Sequence, residues 1–187
     1  MDKIRVMKES LPFLFLCAVG GATAGFVLGQ MEHIFELVPG LIVLVPAMID
    51  MRGNISSTMG SRLGSAHHLG LLNRGIKSPV VRENIISTIS LSAFIAAVLP
   101  LLYLITSIFL SYTVELSGLF AIYLISVLTG LTTGILLSFI SYFAVILSIK
   151  YNLDPDNLSG PALTTIGDVI TLLILFLYAY LIGGMLL

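Results

Sequence analysis

Two aspartates stand in this sequence where a charge is most expensive. Asp168 lies in Thr165-Ile166-Gly167-Asp168-Val169-Ile170-Thr171, after which the chain is almost wholly Leu, Ile, Phe and Tyr to its end. A helix starting at Pro161, whose missing N–H suits a first turn, would be long enough to cross a bilayer, which takes about 20 apolar residues. It would carry Asp168 roughly 10 Å past the interface. A bare carboxylate at that depth costs several kcal/mol, so an intramembrane acid points first to function. Thr164, Thr165 and Thr171 stand at offsets of minus four, minus three and plus three from Asp168, which puts their oxygens on its helix face. A carboxylate among hydroxyls, with no basic partner on its own helix, calls for a cation as the compensating charge.

Asp50 is the second such acid, in a span beginning near Leu37. Thirteen residues of helix carry it about 20 Å inward from the opposite side, and in a core of about 30 Å the two depths coincide. Two close carboxylates do not both ionise cheaply unless positive charge lies between them, and a divalent cation is one solution. The plainer reading pairs Asp50 with Arg52, but residues two apart on a helix do not face each other. Asn54 beside Gly53 could open the helix and present carbonyls to a pore, or make an ordinary interhelical hydrogen bond. The adjacent His67 and His68 read as a solvated interfacial pair rather than a metal site. Thr129, Thr132, Thr133, Ser138 and Ser141 read as helix contacts before pore lining. Asp154-Pro155-Asp156-Asn157 reads as turn and cap chemistry, with attraction of cations to an inner mouth as the alternative.

The elements that must position these residues are helices in lipid. The chain has 187 residues, 57% hydrophobic and 10% charged, with a mean hydropathy of +1.07. That composition belongs to a polytopic membrane protein and excludes a soluble catalytic domain. The lone Cys17 makes no internal disulfide and reads as a small core residue. An all-α fold of five transmembrane helices is expected: Leu11 to Gln30, Leu37 to about Arg62, Ile85 to Leu110 with a kink at Pro100, Leu119 to Ile149, and Pro161 to the end. Polar turns at Gln30–Glu36, Ser111–Gly118 and Lys150–Ser159, and a basic connection over Gly64–Asn84, join them. Gly21, Gly25 and Gly29 form a doubled small-residue stripe on the first span, and Gly53, Ser57, Gly60 and Gly64 another on the second; both suit close helix contact. The first span with Ala22-Thr23-Ala24 also resembles a signal peptide, but its apolar run continues through Phe26, Val27 and Leu28.

Orientation follows from the basic residues. With the N-terminus inside, Lys3, Arg5, Lys8, Arg52, Arg62, Arg74, Lys77, Arg82 and Lys150 all fall in cytoplasmic segments or the inward half of the second span. The outer turns hold Glu32, Glu36 and Glu115. The expected topology is N-terminus in, C-terminus out.

Two blocks resemble the magnesium transporter E (MgtE) superfamily, including the eukaryotic solute-carrier magnesium transporters. One is Val45-Pro46-Ala47-Met48-Ile49-Asp50-Met51-Arg52-Gly53-Asn54 with Gly60-Ser61-Arg62-Leu63; it is similar to the family's Pro…Gly-Asn pore helix. The other is Asp154-Pro155-Asp156-Asn157, Pro161, and Thr165 to Thr171, similar to the family's block ending in Gly-Asp-Leu-Ile-Thr. The resemblance covers nearly the whole chain. It implies a homodimer whose second and fifth helices line an ion path, with Asp168 matching the pore aspartate that recognises Mg²⁺ and Asn54 the pore asparagine. Asp50 departs from the small residue expected there. Residues 1–187 then form a single transmembrane domain, closest to one half of the eukaryotic members and without the cytoplasmic sensor domain of bacterial ones.

The reading that follows is Mg²⁺ transport across the cell membrane by a multi-pass protein that is not an enzyme. Asp168, Asn54, Asp50, Thr164 and Thr165 are the expected metal-facing residues, a second copy and membrane lipid the partners, and nucleic acid is not among them. Two rivals stand beside it. An intramembrane aspartyl protease would also use Asp50 and Asp168, but Thr165 occupies the first glycine of its Gly-x-Gly-Asp signature. A non-transporting assembly subunit would have no solvated path past Asp168.

Overall fold

The computed structural model describes residues 3–72, 75–109, 115–151 and 155–186. Arg74 and Asp154 lie outside the described residues, as do the side chains of Lys3, Arg5, Lys8, Asp156, Asn157 and Pro161. Every regular element among the described residues is helical: α1 Lys3–Gly29, α2 Glu32–Leu37, α3 Leu41–His68, a 3₁₀ turn Gly75–Lys77, α4 Pro79–Phe109, α5 Leu116–Lys150 and α6 Pro155–Leu186. Three of them contain stretches long and apolar enough to cross a membrane, Pro79–Phe109, Leu116–Lys150 and Leu163–Gly184. Leu14–Gly29 is a shorter apolar helix.

Several boundaries differ from the sequence expectation. The segment expected as a polar turn at Gln30–Glu36 contains α2, because Ile34 is buried and pulls one turn of chain onto the core. The basic connection shrinks, since α3 runs on to His68 and α4 starts at Pro79. Proline at a helix start suits both Pro79 and Pro155. The latter begins α6 six residues before Pro161, so Pro155–Asn157 is helix rather than turn. Nor does α3 open at Gly53-Asn54: it is one continuous helix there, and among the described glycines positive φ is found at Gly70 and Gly75.

The helix α3 packs against α6, α4 and α5. Its buried residues Leu41, Leu44, Val45 and Met48 join Ile122 and Ile125 of α5 and Leu172, Leu175 and Ala179 of α6 in one apolar cluster. A second cluster, with Met59 and Leu63 of α3 against Val81 and Val145, closes the other end. The peripheral helix α1 rests on α6. Its Gly20 makes that contact, since a Cβ there would overlap the Thr165 methyl. The expected stripe of Gly21, Gly25 and Gly29 meets no neighbour among the described residues. The contact lies one residue off the stripe, on the adjacent face of the helix.

Candidate functional site: an acid pair on antiparallel helices

The register of α3 against α6 can be read from two close approaches. Val38, just before α3, lies against Gly183 near the end of α6, and Gly53 lies against Thr164 near its start. The residue number rises along one helix as it falls along the other, so the two are antiparallel. A Cβ on Gly53 would come within 2.8 Å of Thr164 Cγ2, so glycine is what lets the backbones approach here. One turn from that contact, Asp50 on α3 and Asp168 on α6 fall at the same level. Their carboxylates are within electrostatic reach of each other.

The two acids are held differently. Asp50 is exposed on α3 and accepts a hydrogen bond from Asn54 Nδ2 at 3.1 Å, one helical turn along. Asp168 is half-buried, and its Oδ1 is buried without a hydrogen-bond partner among the described residues. Thr171 Oγ1, one turn further along α6, is buried and unpartnered in the same way. Thr164 turns its methyl to Gly53 of α3, whereas Thr165 turns its methyl to Gly20 of α1. The five expected metal-facing residues therefore divide. Asp50, Asn54, Thr164 and Asp168 border the α3–α6 seam, and Thr165 lies on its α1 side.

The side of α3 that carries Asp50 is polar and uncovered. Asp50, Asn54, Thr58, Ser61, Arg62 and Ser65 are all exposed, at helical spacing along one stripe. A cleft of about 450 Å³ opens beside it toward α4, lined by Asp50, Asn54, Thr58 and Arg62 of α3 and by Ser87 and Thr88 of α4. Ser57 and Thr58 donate their hydroxyls to the Asn54 carbonyl, at 3.3 and 2.7 Å. An isolated helix in lipid would not leave such a stripe bare. No group of three His, Cys, Asp or Glu side chains converges among the described residues. One chain thus brings two carboxylates to this level and no closed coordination shell. Such an arrangement suits an ion that keeps most of its water, as Mg²⁺ does.

The remaining polar groups resolve more simply. His67 and His68 contact each other, with ring centroids 5.7 Å apart, at the end of α3. On α5, Thr133 and Ser138 donate to carbonyls of their own helix, and Thr132 shares a 2.9 Å hydrogen bond with Tyr178 of α6. These three make helix contacts, as expected, whereas the hydroxyls of Thr129 and Ser141 are buried without a hydrogen-bond partner among the described residues. Arg52 is the residue whose role the sequence reading missed. It does not pair with Asp50; it turns to the opposite side of α3 and is buried, donating to Ser92 and to the Gly130 carbonyl. A charge inside an apolar span, together with Gly130-x-x-x-Gly134 on another, was the available signal.

A bundle of long apolar helices with acids on its central pair defines a multi-pass membrane protein of the ion-handling kind. The chain belongs to the MgtE family of divalent cation transporters, whose model matches residues 45–178. It is 33% identical over 187 residues to mouse solute carrier family 41 member 2, covering 91% of this chain and 32% of that protein. The human protein of that name is 31% identical over 179 residues, covering 92% of this chain and 30% of the relative. The magnesium transporter MgtE of Bacillus subtilis is 28% identical over 172 residues, covering 89% and 35% respectively. The chain spans about a third of the length of these curated relatives. The family is one of transporters, not enzymes, so the protease reading falls.

Proposed function

We propose that this chain is one half of a Mg²⁺ path, completed by a second copy about an axis along the membrane normal. In this reading α1 and α3 also span the membrane, giving five spans with the N-terminus in the cytoplasm. The α3 helix, 28 residues long, reaches about 40 Å; its charges lower its apolar character without shortening it. The uncovered stripe from Asp50 to Ser65 faces water and the partner copy, which is where a polar helix face in a membrane belongs. Asp168 of each copy, with Asp50, Asn54 and Thr164, holds the ion largely through its waters, and Thr165 supports Asp168 from the α1 side. The negative-inside potential draws the cation inward, by about 2.3 kcal/mol per charge per 100 mV.

The observation that carries this reading is the buried, unpartnered oxygen of Asp168 one helix away from the Asp50 carboxylate. Two acids at one level in low dielectric need positive charge, and among the described residues no basic group pairs with either. The names of the relatives, magnesium transporter among them, favour Mg²⁺ as the cargo. The test is uptake by purified chain in lipid vesicles. Parent protein should admit Mg²⁺ in response to an inside-negative potential and run as a dimer in detergent. A parent chain that folds, stays monomeric and admits no Mg²⁺ would overturn the reading.

A further inference from the structure

Arg52 is the largest fully buried side chain among the described residues, 1% exposed, and its guanidinium sits among neutral groups. Its Nη1 donates to Ser92 Oγ on α4 and its Nη2 to the Gly130 carbonyl on α5. Two glycines make the room. A Cβ on Gly134 would stand 2.9 Å from Ser92 Cβ and 3.5 Å from Arg52 Nη1, and one on Gly130 would overlap Ala96. Gly130 and Gly134 are one turn apart on α5, and Ser92 and Ala96 one turn apart on α4. Together they form a socket of small residues shaped around a planar cation. Among the described residues the recorded ion pair is His33 with Glu36, and no carboxylate pairs with Arg52.

Burying a guanidinium without a counter-charge is costly, and an apolar side chain of similar volume would commonly do as well for stability. What an apolar side chain lacks is direction. A guanidinium bonded at once to two helices resists both rotation and sliding, because either motion breaks charge-assisted hydrogen bonds. Arg52 stands two residues from Asp50 and two from Asn54, and at about 3.6 residues per turn that places it on the opposite face, midway between them.

We propose that Arg52 is a positioning residue for the cation path: locked in the Ser92–Gly130–Gly134 socket, it fixes the rotation of α3 so that Asp50 and Asn54 face the ion. The proposal rests on the path assigned above. Releasing the lock lets α3 turn, and Asn54 then moves toward α4 or α6 whichever way it turns, since both flank it. The side chain of residue 54 should become less accessible, and Mg²⁺ should bind more weakly at an otherwise intact site.

The experiment uses full-length chain in lipid vesicles with Cys17→Ser and Asn54→Cys, so that one thiol reports the exposure of α3. A charged thiol reagent should label position 54 about tenfold more slowly in Arg52→Met than in parent, and Arg52→Lys should fall between, the scale set by losing a charge-assisted hydrogen bond. With Asn54 restored, Arg52→Met should raise the Mg²⁺ concentration for half-maximal uptake by a similar factor, with Arg52→Lys rescuing part of it. A folded Arg52→Met protein with parent labelling and parent half-saturation overturns the proposal, even if it unfolds at lower temperature. Should Arg52→Met yield no folded protein, Ser92→Ala decides. It removes one acceptor and leaves the Gly130 contact, so it should slow labelling in the same direction, and unchanged labelling overturns the proposal. Labelling needs no transport, so it tests Arg52 even if Asp168→Asn, run beside it, transports normally and the ion path is wrong.

Discussion

The two faces of α3 treat a charge in opposite ways. On one, Arg52 is sealed away and given acceptors by two neighbouring helices. On the other, Asp50 is left exposed, bonded within its own helix, beside an Asp168 oxygen with no hydrogen-bond partner among the described residues. Membrane charge is costly in both places. At Arg52 two neighbouring helices accept from both Nη atoms, while Nε stays buried without a partner among the described residues. Where the acid is unpartnered, we propose that a cation arriving from outside meets it. In the proposed path Arg52 is a structural cation and Asp50 an ion-facing acid two residues away on the same helix.

The contrast can be broken most forcefully at Asp168. Asp168→Asn keeps the size and removes the charge. Uptake of Mg²⁺ at sub-saturating concentration should fall about 100-fold or more, since each copy loses a charge-assisted contact of roughly 1.5–3 kcal/mol, while insertion and dimer formation survive. Loss of assembly with normal transport by the remaining protein would place Asp168 with Arg52 as a structural charge. A milder form of the same test uses protons. Protonation cancels the carboxylate charge and competes with the metal for its oxygens. Lower pH should therefore reduce uptake at low Mg²⁺, and high Mg²⁺ should restore it. Inhibition that Mg²⁺ cannot relieve would argue against shared oxygens.

Asp50→Asn should act less strongly, because Asp50 is exposed and already shares a hydrogen bond with Asn54. We expect uptake weakened by about tenfold or selectivity among divalent ions altered, measured in the same vesicles. Parent uptake and selectivity would leave Asp168 to carry the site alone. Gly53→Ala tests the seam that brings the acids level. A Cβ there would meet Thr164 at 2.8 Å, and such overpacking costs about 1–3 kcal/mol, read as a lower unfolding midpoint in detergent. No change would mean that α3 and α6 have slack at this contact. The smallest effect belongs to Ser141, whose hydroxyl is buried and unpartnered like the Asp168 oxygen, but neutral. Ser141→Ala should leave uptake alone and should not lower stability, since it removes a buried hydroxyl that has no hydrogen bond to lose. A large transport defect there would make α5 part of the path.

The sequence announced the acid pair better than it announced the architecture around it. Asp168 stood out because one charge in a long apolar run has no other explanation as good. Counting residues from each span's start placed Asp50 and Asp168 at one depth, and the Gly53–Thr164 register puts them at one level by a different route. Helix ends were harder. Pro155 and Pro161 can each open a helix, and the choice of Pro155 depends on packing that no local pattern encodes. The α2 helix was hidden because one buried residue, Ile34, decides between a turn and a helix. The stripe of Gly21, Gly25 and Gly29 had the right period for a contact, but period gives spacing and not the identity of the neighbour; Gly20 faces α6 instead. Arg52 was legible as a charge and not as a lock. Its socket joins residues from three helices, and single-helix periodicity says nothing of how those helices are rotated toward one another.

We propose that Asp168 Oδ1 has no protein partner among the described residues because a divalent cation meets it. Direct binding tests this without requiring turnover. Mn²⁺ can serve as a paramagnetic probe, with free ion counted by its solution spectrum in the presence of dimeric protein in detergent. Parent chain should bind Mn²⁺ that excess Mg²⁺ displaces, and Asp168→Asn, equally folded and dimeric, should lose that Mg²⁺-displaceable binding. If the Asp168→Asn protein binds Mn²⁺ as parent does and releases it to Mg²⁺ at the same concentration, the ion is held elsewhere and the account is wrong.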